Sequence, residues 1–115
     1  MTILAGSEFL HGTLDVLILK TLSAGPRHGY AIARWLETGS GDALQLEDGT
    51  LYPALYRLER RGWVVAEWGL SDTKRRVKLY RLTDDGRQRL ALETAQWSRF
   101  ADAVGRILHA PVDPA

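Results

Sequence analysis

Two segments of the sequence carry clustered side chains that can bind an anionic surface. Guanidinium and ammonium groups donate hydrogen bonds to phosphate, an arginine can also pair with the edge of a guanine, and a tyrosine hydroxyl can donate to phosphate. The first segment contributes Tyr52, Pro53, Tyr56, Arg57 and Arg60, and the second contributes Lys74, Arg75 and Arg76. The pattern predicts contact with a polyanion such as duplex DNA, and a solvated polar surface is the alternative.

The distribution of charge supports one anionic docking face. Residues 48–82 contain eight lysines and arginines and four acidic residues, a balance of +4, although the whole chain carries a net charge of only +1. A basic segment on a slightly acidic body is typical of a protein that docks on nucleic acid through one side.

Several classes of protein are not expected from this sequence. The chain has no cysteine, which excludes disulfides and thiolate metal sites and fits a reducing cytoplasm. It has no run of 18 apolar residues and no signal-peptide pattern, so neither a membrane span nor export is predicted. Its histidines, at positions 11, 28 and 109, lack metal-ligand spacing, and no phosphate-binding glycine loop or nucleophile elbow occurs. We therefore expect no enzymatic activity, metal or cofactor.

Residues 49–62 form one predicted helix with a buried and an exposed face. Thr50 is the predicted N-cap, because its hydroxyl can accept a backbone N–H of the first turn. Pro53 falls in that turn, where a missing N–H costs little, and Gly62 suits a left-handed C-cap. The buried stripe consists of Leu51, Leu55 and Leu58, and the tyrosines and arginines are predicted to face the other way.

Patterns elsewhere place this helix third among four. The predicted elements are helices over 14–23, 28–37, 50–61 and 84–109, a short third, edge strand over 44–46, and a hairpin of strands 63–68 and 76–82 around the turn 69–75. Thr13 and Thr83 are the predicted N-caps of the first and last helices. This is the order of a winged helix-turn-helix, a mainly α (α+β) fold. Its third helix enters the major groove of DNA, and its hairpin contacts an adjacent groove or the backbone.

The predicted elements divide the chain into four parts. Residues 13–82 form the winged helix-turn-helix domain, and residues 83–109 form a long C-terminal dimerisation helix. Residues 1–12 are an N-terminal segment that could pack on the dimer partner. Residues 110–115 are predicted to be a disordered tail, since Pro111 and Pro114 end regular structure there.

Large apolar residues recur along the last helix with heptad spacing. Leu90, Trp97 and Val104 occupy one core position of the heptad, Phe100 and Ile107 occupy the other, and Leu108 lies beside them. The pattern predicts a dimer interface, and packing on the chain's own domain is the alternative. Since it covers fewer than three heptads, the helix should also pack on the body of its partner.

Several separated motifs resemble the PadR family of bacterial transcriptional regulators. They are residues 28–32 (HGYAI), 49–55 (GTLYPAL), 57–59 (RLE), 62–63 (GW) and 80–83 (YRLT). The resemblance extends over residues 12–108, and the single C-terminal helix is similar to that of the shorter subfamily. It implies a cytoplasmic homodimer that binds a pseudo-palindromic operator, usually as a repressor, in some members under the control of a phenolic or multidrug-like aromatic effector.

The resemblance also assigns roles to individual residues. The family motif falls on Tyr52 and Arg57, which it implies contact DNA. Thr50, at a helix N-terminus, could also hold a phosphate. His28 and Tyr30 begin the second helix, which crosses the DNA backbone in this fold, although Tyr30 could equally be a packing residue.

The sequence leaves open the roles of the tryptophans and one rival function. In multidrug-binding relatives, tryptophans on the last helix stack planar ligands, so Trp97 is a candidate effector-binding residue as well as an interface residue. Trp35, Trp63 and Trp68 are predicted to be structural. The rival function is that of a winged-helix adaptor which uses the same tyrosine and arginine face to bind an acidic protein.

Overall fold

The computed structural model describes residues 3–4 and 11–114, with side chains from residue 12 onward. The prediction for residues 1–12 therefore falls mostly outside the described residues. The helices are α1 (His11–Thr21), α2 (Gly29–Gly39), α3 (Asp48–Arg60) and α4 (Asp84–His109), with a 3₁₀ turn over Leu22–Ala24. The strands are β1 (Ile3–Leu4), β2 (Arg27–His28), β3 (Leu44–Gln45), β4 (Val64–Leu70) and β5 (Arg76–Leu82). The predicted winged helix-turn-helix with a long last helix is confirmed.

Three antiparallel strands, in the order β2-β5-β4, form the sheet beside the helices. β4 and β5 make the predicted hairpin, here called the wing, with Val64 opposite Leu82 and Leu70 opposite Arg76. The third strand, predicted at residues 44–46, is instead β2, which pairs with β5. β3 pairs in parallel with β1. A two-residue strand carries no local signal for its partner, because tertiary packing decides which strand it meets.

The core lies where α1, α2 and α3 meet the inner face of the sheet. Leu51, Leu55 and Leu58 are buried, which confirms the predicted stripe of α3. Other fully buried side chains include Ile18, Leu19, Leu22, Ile32 and Val64. Each such side chain contributes roughly 1.5–3 kcal/mol by leaving water, so this core holds α3 in place on the rest of the domain.

Of the two predicted ends of α3, the C-terminal one is confirmed and the N-terminal one is wrong. Gly62 has φ 76° and donates to the carbonyl of Glu59, while Trp63 donates to the carbonyl of Leu58, so the predicted glycine cap is confirmed. The helix begins earlier than predicted, because the carbonyl of Glu47 accepts the N–H groups of Thr50 and the following residue. Thr50 therefore lies inside the first turn, and its assignment as N-cap was wrong.

The start of α1 was also misplaced. The helix already includes His11, so Thr13 lies within it and is not its N-cap. A threonine is a strong cap where the chain is extended, but nothing in its own sequence prevents helical residues from preceding it. Asp15 therefore lies in the second turn of the helix.

The last helix follows its prediction closely. Thr83 caps it by accepting the N–H of Gly86 at 3.0 Å, and the helix runs 26 residues to His109, about 39 Å at 1.5 Å per residue. The Thr83 hydroxyl also donates to the carbonyl of Gly62 at 2.7 Å. This second bond fastens the start of α4 to the end of α3. Within the described residues, no helix has both the length and the hydropathy to cross a membrane.

Candidate nucleic-acid interface

One side of α3 is exposed and aromatic, opposite its buried leucines. Tyr52, Pro53, Tyr56 and Arg60 all lie on the surface, and the guanidinium of Arg60 sits 5.9 Å from the ring centre of Tyr56. A cation held over an aromatic ring keeps its donors available while its stem packs. This face therefore presents hydrogen-bonding groups to solvent or to a partner.

A groove joins this face to the start of α2 and to the wing. It has a volume of about 490 Å³. Four of the residues predicted to contact DNA line it, namely His28, Tyr30, Tyr52 and Arg76. The same groove includes Trp68 and Lys78 of the wing. Folding thus brings together predicted residues that are far apart in the sequence.

The position of Tyr52 depends on a glycine. A Cβ placed on Gly29 would lie 2.6 Å from the Tyr52 hydroxyl oxygen and 2.9 Å from two ring carbons. The phenol therefore rests on the backbone of the first residue of α2. Because a methyl group would occupy that space, only glycine allows Tyr52 this position on the floor of the groove.

His28 has a structural task in addition to its place in the groove. Its Nδ1 accepts the backbone N–H of Ala31 at 3.1 Å, which makes it the N-cap of α2. Its ring stacks on that of Tyr30, with centres 6.3 Å apart. With Nδ1 acting as an acceptor, Nε2 carries the proton of a neutral ring and can donate outward. Tyr30 is 69% exposed and is not a core residue.

The tip of the wing is a basic turn held by its own backbone. Ser71 donates to the carbonyl of Arg75 at 2.9 Å, and Lys74 donates to the carbonyl of Ser71 at 2.8 Å with a left-handed φ of 60°. Lys74, Arg75 and Arg76 are all exposed. Among the described residues, no carboxylate forms an ion pair with these three side chains. Their charges remain available to an external anion.

Trp68 was predicted to be structural but lies in the groove. It is 63% exposed, and the guanidinium of Arg76 is 4.6 Å from its ring centre. It stands opposite Lys78 on the same face of the hairpin as Val64. Alternation along the strand from Val64 predicts the face on which Trp68 lies. It does not predict where along the strand the core ends, so the sequence could not show that Trp68 is exposed.

Arg57 is not part of the exposed face. One of its terminal nitrogens lies 3.0 Å from a carboxylate oxygen of Asp15 in α1, and Arg61 approaches the other oxygen at 3.6 Å. The Arg57 side chain is 31% exposed and that of Asp15 only 13%. The pair links α3 to α1, a contact that sequence periodicity alone could not reveal. Thr50 is half-buried at the start of α3.

Burial beside the groove affects one ionisable group. Loss of solvent around Tyr80 raises the pKa of its phenol above the ordinary value of 10.0, and the charges of Glu59 and Tyr52 raise it further. Tyr80 therefore stays neutral at physiological pH. Within the described part of the chain, no group of three His, Asp or Glu side chains could hold a metal ion.

The outer half of α4 exposes large apolar side chains. The predicted interface residues Trp97, Phe100, Val104, Ile107 and Leu108 are all exposed, and the rings of Trp97 and Phe100 lie 6.1 Å apart. Leu90 differs, because it is half-buried against the chain's own core. Trp97 also lines an apolar groove of about 560 Å³ between α1 and α4. An apolar stripe of this kind is typical of an interface.

Comparison with known proteins gives one consistent family. The family model of the transcriptional regulator PadR-like family matches residues 18–92 of this chain. The negative transcriptional regulator PadR of Bacillus subtilis (strain 168) is 31% identical over 77 residues, which cover 67% of this chain and 42% of that protein. An uncharacterized protein of Lysinibacillus sphaericus is 29% identical over 99 residues, or 85% of this chain and 90% of that one.

Solved structures resemble the chain over most of its length. A PadR family transcriptional regulator from Eggerthella lenta DSM 2243 is 38% identical with a TM-score of 0.75, covering 90% of this chain and 88% of that one. A transcriptional regulator from Clostridium thermocellum is 27% identical with a TM-score of 0.78, covering 87% and 97% respectively.

Proposed function

The chain belongs to the PadR-like family of transcriptional regulators, which are not enzymes, and from this premise we propose that it is a homodimeric repressor. Each protomer inserts α3 into the major groove of an operator and lays its wing on the flanking backbone. The observation that carries this proposal is the groove in which Tyr52, His28 and Tyr30 meet the basic wing, with no carboxylate in its lining.

The residues of the interface have distinct proposed roles. Tyr52, Tyr56 and Arg60 approach base edges and phosphates from the exposed face of α3, with Pro53 at close approach to the backbone. The three cations at the wing tip bind phosphates or enter a minor groove. His28, Tyr30 and Thr50 donate to phosphates near the N-terminal ends of α2 and α3.

For Arg57, the ion pair with Asp15 supports a role in orienting α3. Direct reading of a base edge by Arg57 remains a separate proposal, because it requires the guanidinium to leave or share its carboxylate. The guanidinium of Arg57 is partly exposed and has enough N–H donors to hold Asp15 and to donate to a second acceptor at the same time. Only the orienting role predicts that the loss of Arg57 lowers the free energy of unfolding.

Dimerisation supplies the second recognition helix. We assign residues 13–82 to DNA binding and residues 83–109 to the dimer, where Trp97, Phe100, Val104, Ile107 and Leu108 bury their exposed stripe on the partner. Two half-sites one helical turn apart require recognition helices about 34 Å apart. A stiff helix such as α4, bonded to the end of α3 through Thr83, can maintain that separation.

Repression and its release are the finer part of the proposal. One curated relative is named a negative regulator, and a dimer that occupies an operator can exclude polymerase. A planar aromatic effector would stack on Trp97 in the groove between α1 and α4, where a lining rich in apolar atoms suits it. Because its target is chromosomal DNA, the protein would act in the cytoplasm.

The proposal is tested by selecting bound duplexes from fragmented genomic DNA and sequencing them. We expect an enriched inverted repeat, and an affinity that falls steeply with salt because phosphate contacts release counterions. The variant K74A/R75A/R76A should bind all DNA sequences more weakly by the same factor, and its affinity should depend less on salt. Arg99→Ala on α4 should behave as wild type. Binding without an enriched site and without salt dependence would instead favour the adaptor.

A further inference from the structure

A second basic and aromatic surface continues from the groove along α2. It is formed by Arg27, His28, Tyr30, Ala31, Arg34, Trp35 and Thr38, here called the α2 patch. Its shared residues, His28 and Tyr30, make it continuous with the groove between α3 and the wing. Neither Arg34 nor Trp35 has a role in the interface described above.

The chemistry of the α2 patch suits an extended anion. The guanidinium of Arg27 lies 5.8 Å from the ring centre of Trp35, which limits the freedom of both side chains. Arg34 is exposed beside them. Glu37 is the only acidic residue of α2, and it is absent from the lining. Within the described residues, no carboxylate forms an ion pair with Arg27 or Arg34.

We infer that the α2 patch binds backbone phosphates of duplex DNA outside each half-site, an inference that rests on the proposed function. Arg27 and Arg34 each contact a phosphate, and Trp35 packs against a deoxyribose while holding Arg27 in place. The patch extends about 14 Å along α2 at 1.5 Å per residue. That length corresponds to roughly four phosphates of one strand at 3.4 Å each. Continuity with the groove that is proposed to bind DNA favours DNA over an acidic protein.

The contacts predict an effect of DNA length that is independent of sequence. The probe is the duplex selected from genomic fragments, in one version trimmed to the outer edges of its half-sites. In the other version, scrambled sequence extends each end by about six base pairs, more than the length of the patch. Wild-type protein should bind the extended duplex more tightly, with a salt slope steeper by about 0.9 for each added phosphate.

Arg34→Gln is the variant that tests the assignment. It should bind the trimmed duplex like wild type, and on the extended duplex its salt slope should fall by about 1.8, for one phosphate per protomer. The side chain of Arg34 makes no hydrogen bond or ion pair within the described chain, so the fold should tolerate this change. Lys20→Gln, which removes an equal charge at the end of α1, should leave both duplexes unaffected.

Three outcomes would decide against the inference in different ways. If wild type gains nothing from the extension, the flanking contacts are absent while the proposed function stands. If Arg34→Gln weakens the trimmed and extended duplexes equally, the arginine belongs to the half-site itself. If the selection from genomic fragments enriches no duplex, the proposed function fails and the inference fails with it.

Discussion

The guanidinium of Arg57 in α3 lies 3.0 Å from the carboxylate of Asp15 in α1. Because the Asp15 side chain is only 13% exposed, removal of Arg57 would leave a largely desolvated charge with a weaker partner in Arg61. We predict that Arg57→Ala lowers the free energy of unfolding. A double-mutant cycle with Asp15→Ala should give a coupling of about 0.5–3 kcal/mol in urea denaturation.

Arg60→Ala provides the matched control for that cycle. Arg60 lies on the same helix and is exposed, and it stacks on Tyr56 without an ion pair in the described chain, so its removal should leave the unfolding midpoint unchanged. Direct reading of a base by Arg57 would be supported by a different result. Arg57→Ala would then keep full stability but lose about 1–3 kcal/mol in DNA affinity and show a relaxed sequence preference.

Elements with complete local signals could be predicted from the sequence. Three predictions that each rest on two or more cues are confirmed. They are Thr83 as N-cap, a proline-free run to His109, and Gly62 after the third helix. The starts of α1 and α3 were missed, since Thr13 and Thr50 are good caps that lie where the helix has already begun.

Properties that depend on distant residues could not be predicted. The stripe of leucines in α3 follows from helical spacing alone, whereas the partner of Arg57 is 42 residues away. The pairing of Arg27 with Tyr80 is likewise set by the packing of α2 on the wing. The exposure of Trp68 depends on where the core ends along β4, which no pattern within the strand encodes.

Gly86 packs closely against the carbonyl of Trp63 at the joint between α3 and α4. A Cβ on Gly86 would overlap that carbonyl oxygen and would also lie 3.1 Å from a methyl group of Leu82. We predict that Gly86→Ala destabilises the fold by about 1–3 kcal/mol through overpacking. Gly49→Ala, also in a first helical turn but with open space around it, should match or exceed wild type in thermal denaturation. Equal melting temperatures for both variants would contradict the contact.

Stability should decline at alkaline pH through Tyr80. Its pKa is raised in the folded state by burial and then by Glu59, so the folded chain keeps a proton that the unfolded chain loses near pH 10.0. The stabilisation is complete below pH 10.0 and is lost as the pH rises through the folded-state value. The Tyr80→Phe variant has no phenol that can ionise at this position. Its free energy of unfolding should therefore fall less than that of wild type when the pH is raised from neutral to above 10.0. Urea midpoints at the two pH values test this, and parallel declines in both proteins would refute it.

The apolar stripe of α4 should be sensitive to a single charge. Ile107 is 75% exposed in the protomer, and burying an aspartate there on a partner would cost several kcal/mol. We predict that Ile107→Asp is monomeric by light scattering, while Gln88→Asp, which adds the same charge at an exposed position near the start of α4, remains a dimer. A wild-type protein that is itself monomeric at micromolar concentration would remove the basis for this prediction.

The contact of Tyr52 with Gly29 provides a test of the groove that leaves charge unchanged. Gly29 has an ordinary helical backbone, so alanine is allowed there, but its Cβ would lie 2.6 Å from the Tyr52 hydroxyl and must displace the phenol. Loss of one hydrogen bond to a phosphate should reduce DNA affinity by about 1.5 kcal/mol per protomer, and thermal denaturation should show an intact fold. Gly39→Ala, in the same helix with nothing within 4 Å, is the matched control and should bind DNA as wild type.

The mechanism of that loss is separable from a general distortion of α2. If Gly29→Ala acts only by moving Tyr52, adding it to Tyr52→Ala should cause no further loss, because the displaced group is already absent. Additive losses in the double variant would mean that the alanine disturbs the His28 cap or the path of α2 instead. The measurement is the affinity of wild type, both single variants and the double variant for the selected duplex at one salt concentration. It distinguishes a specific effect of Gly29 on the position of Tyr52 from a general effect of the methyl group on α2.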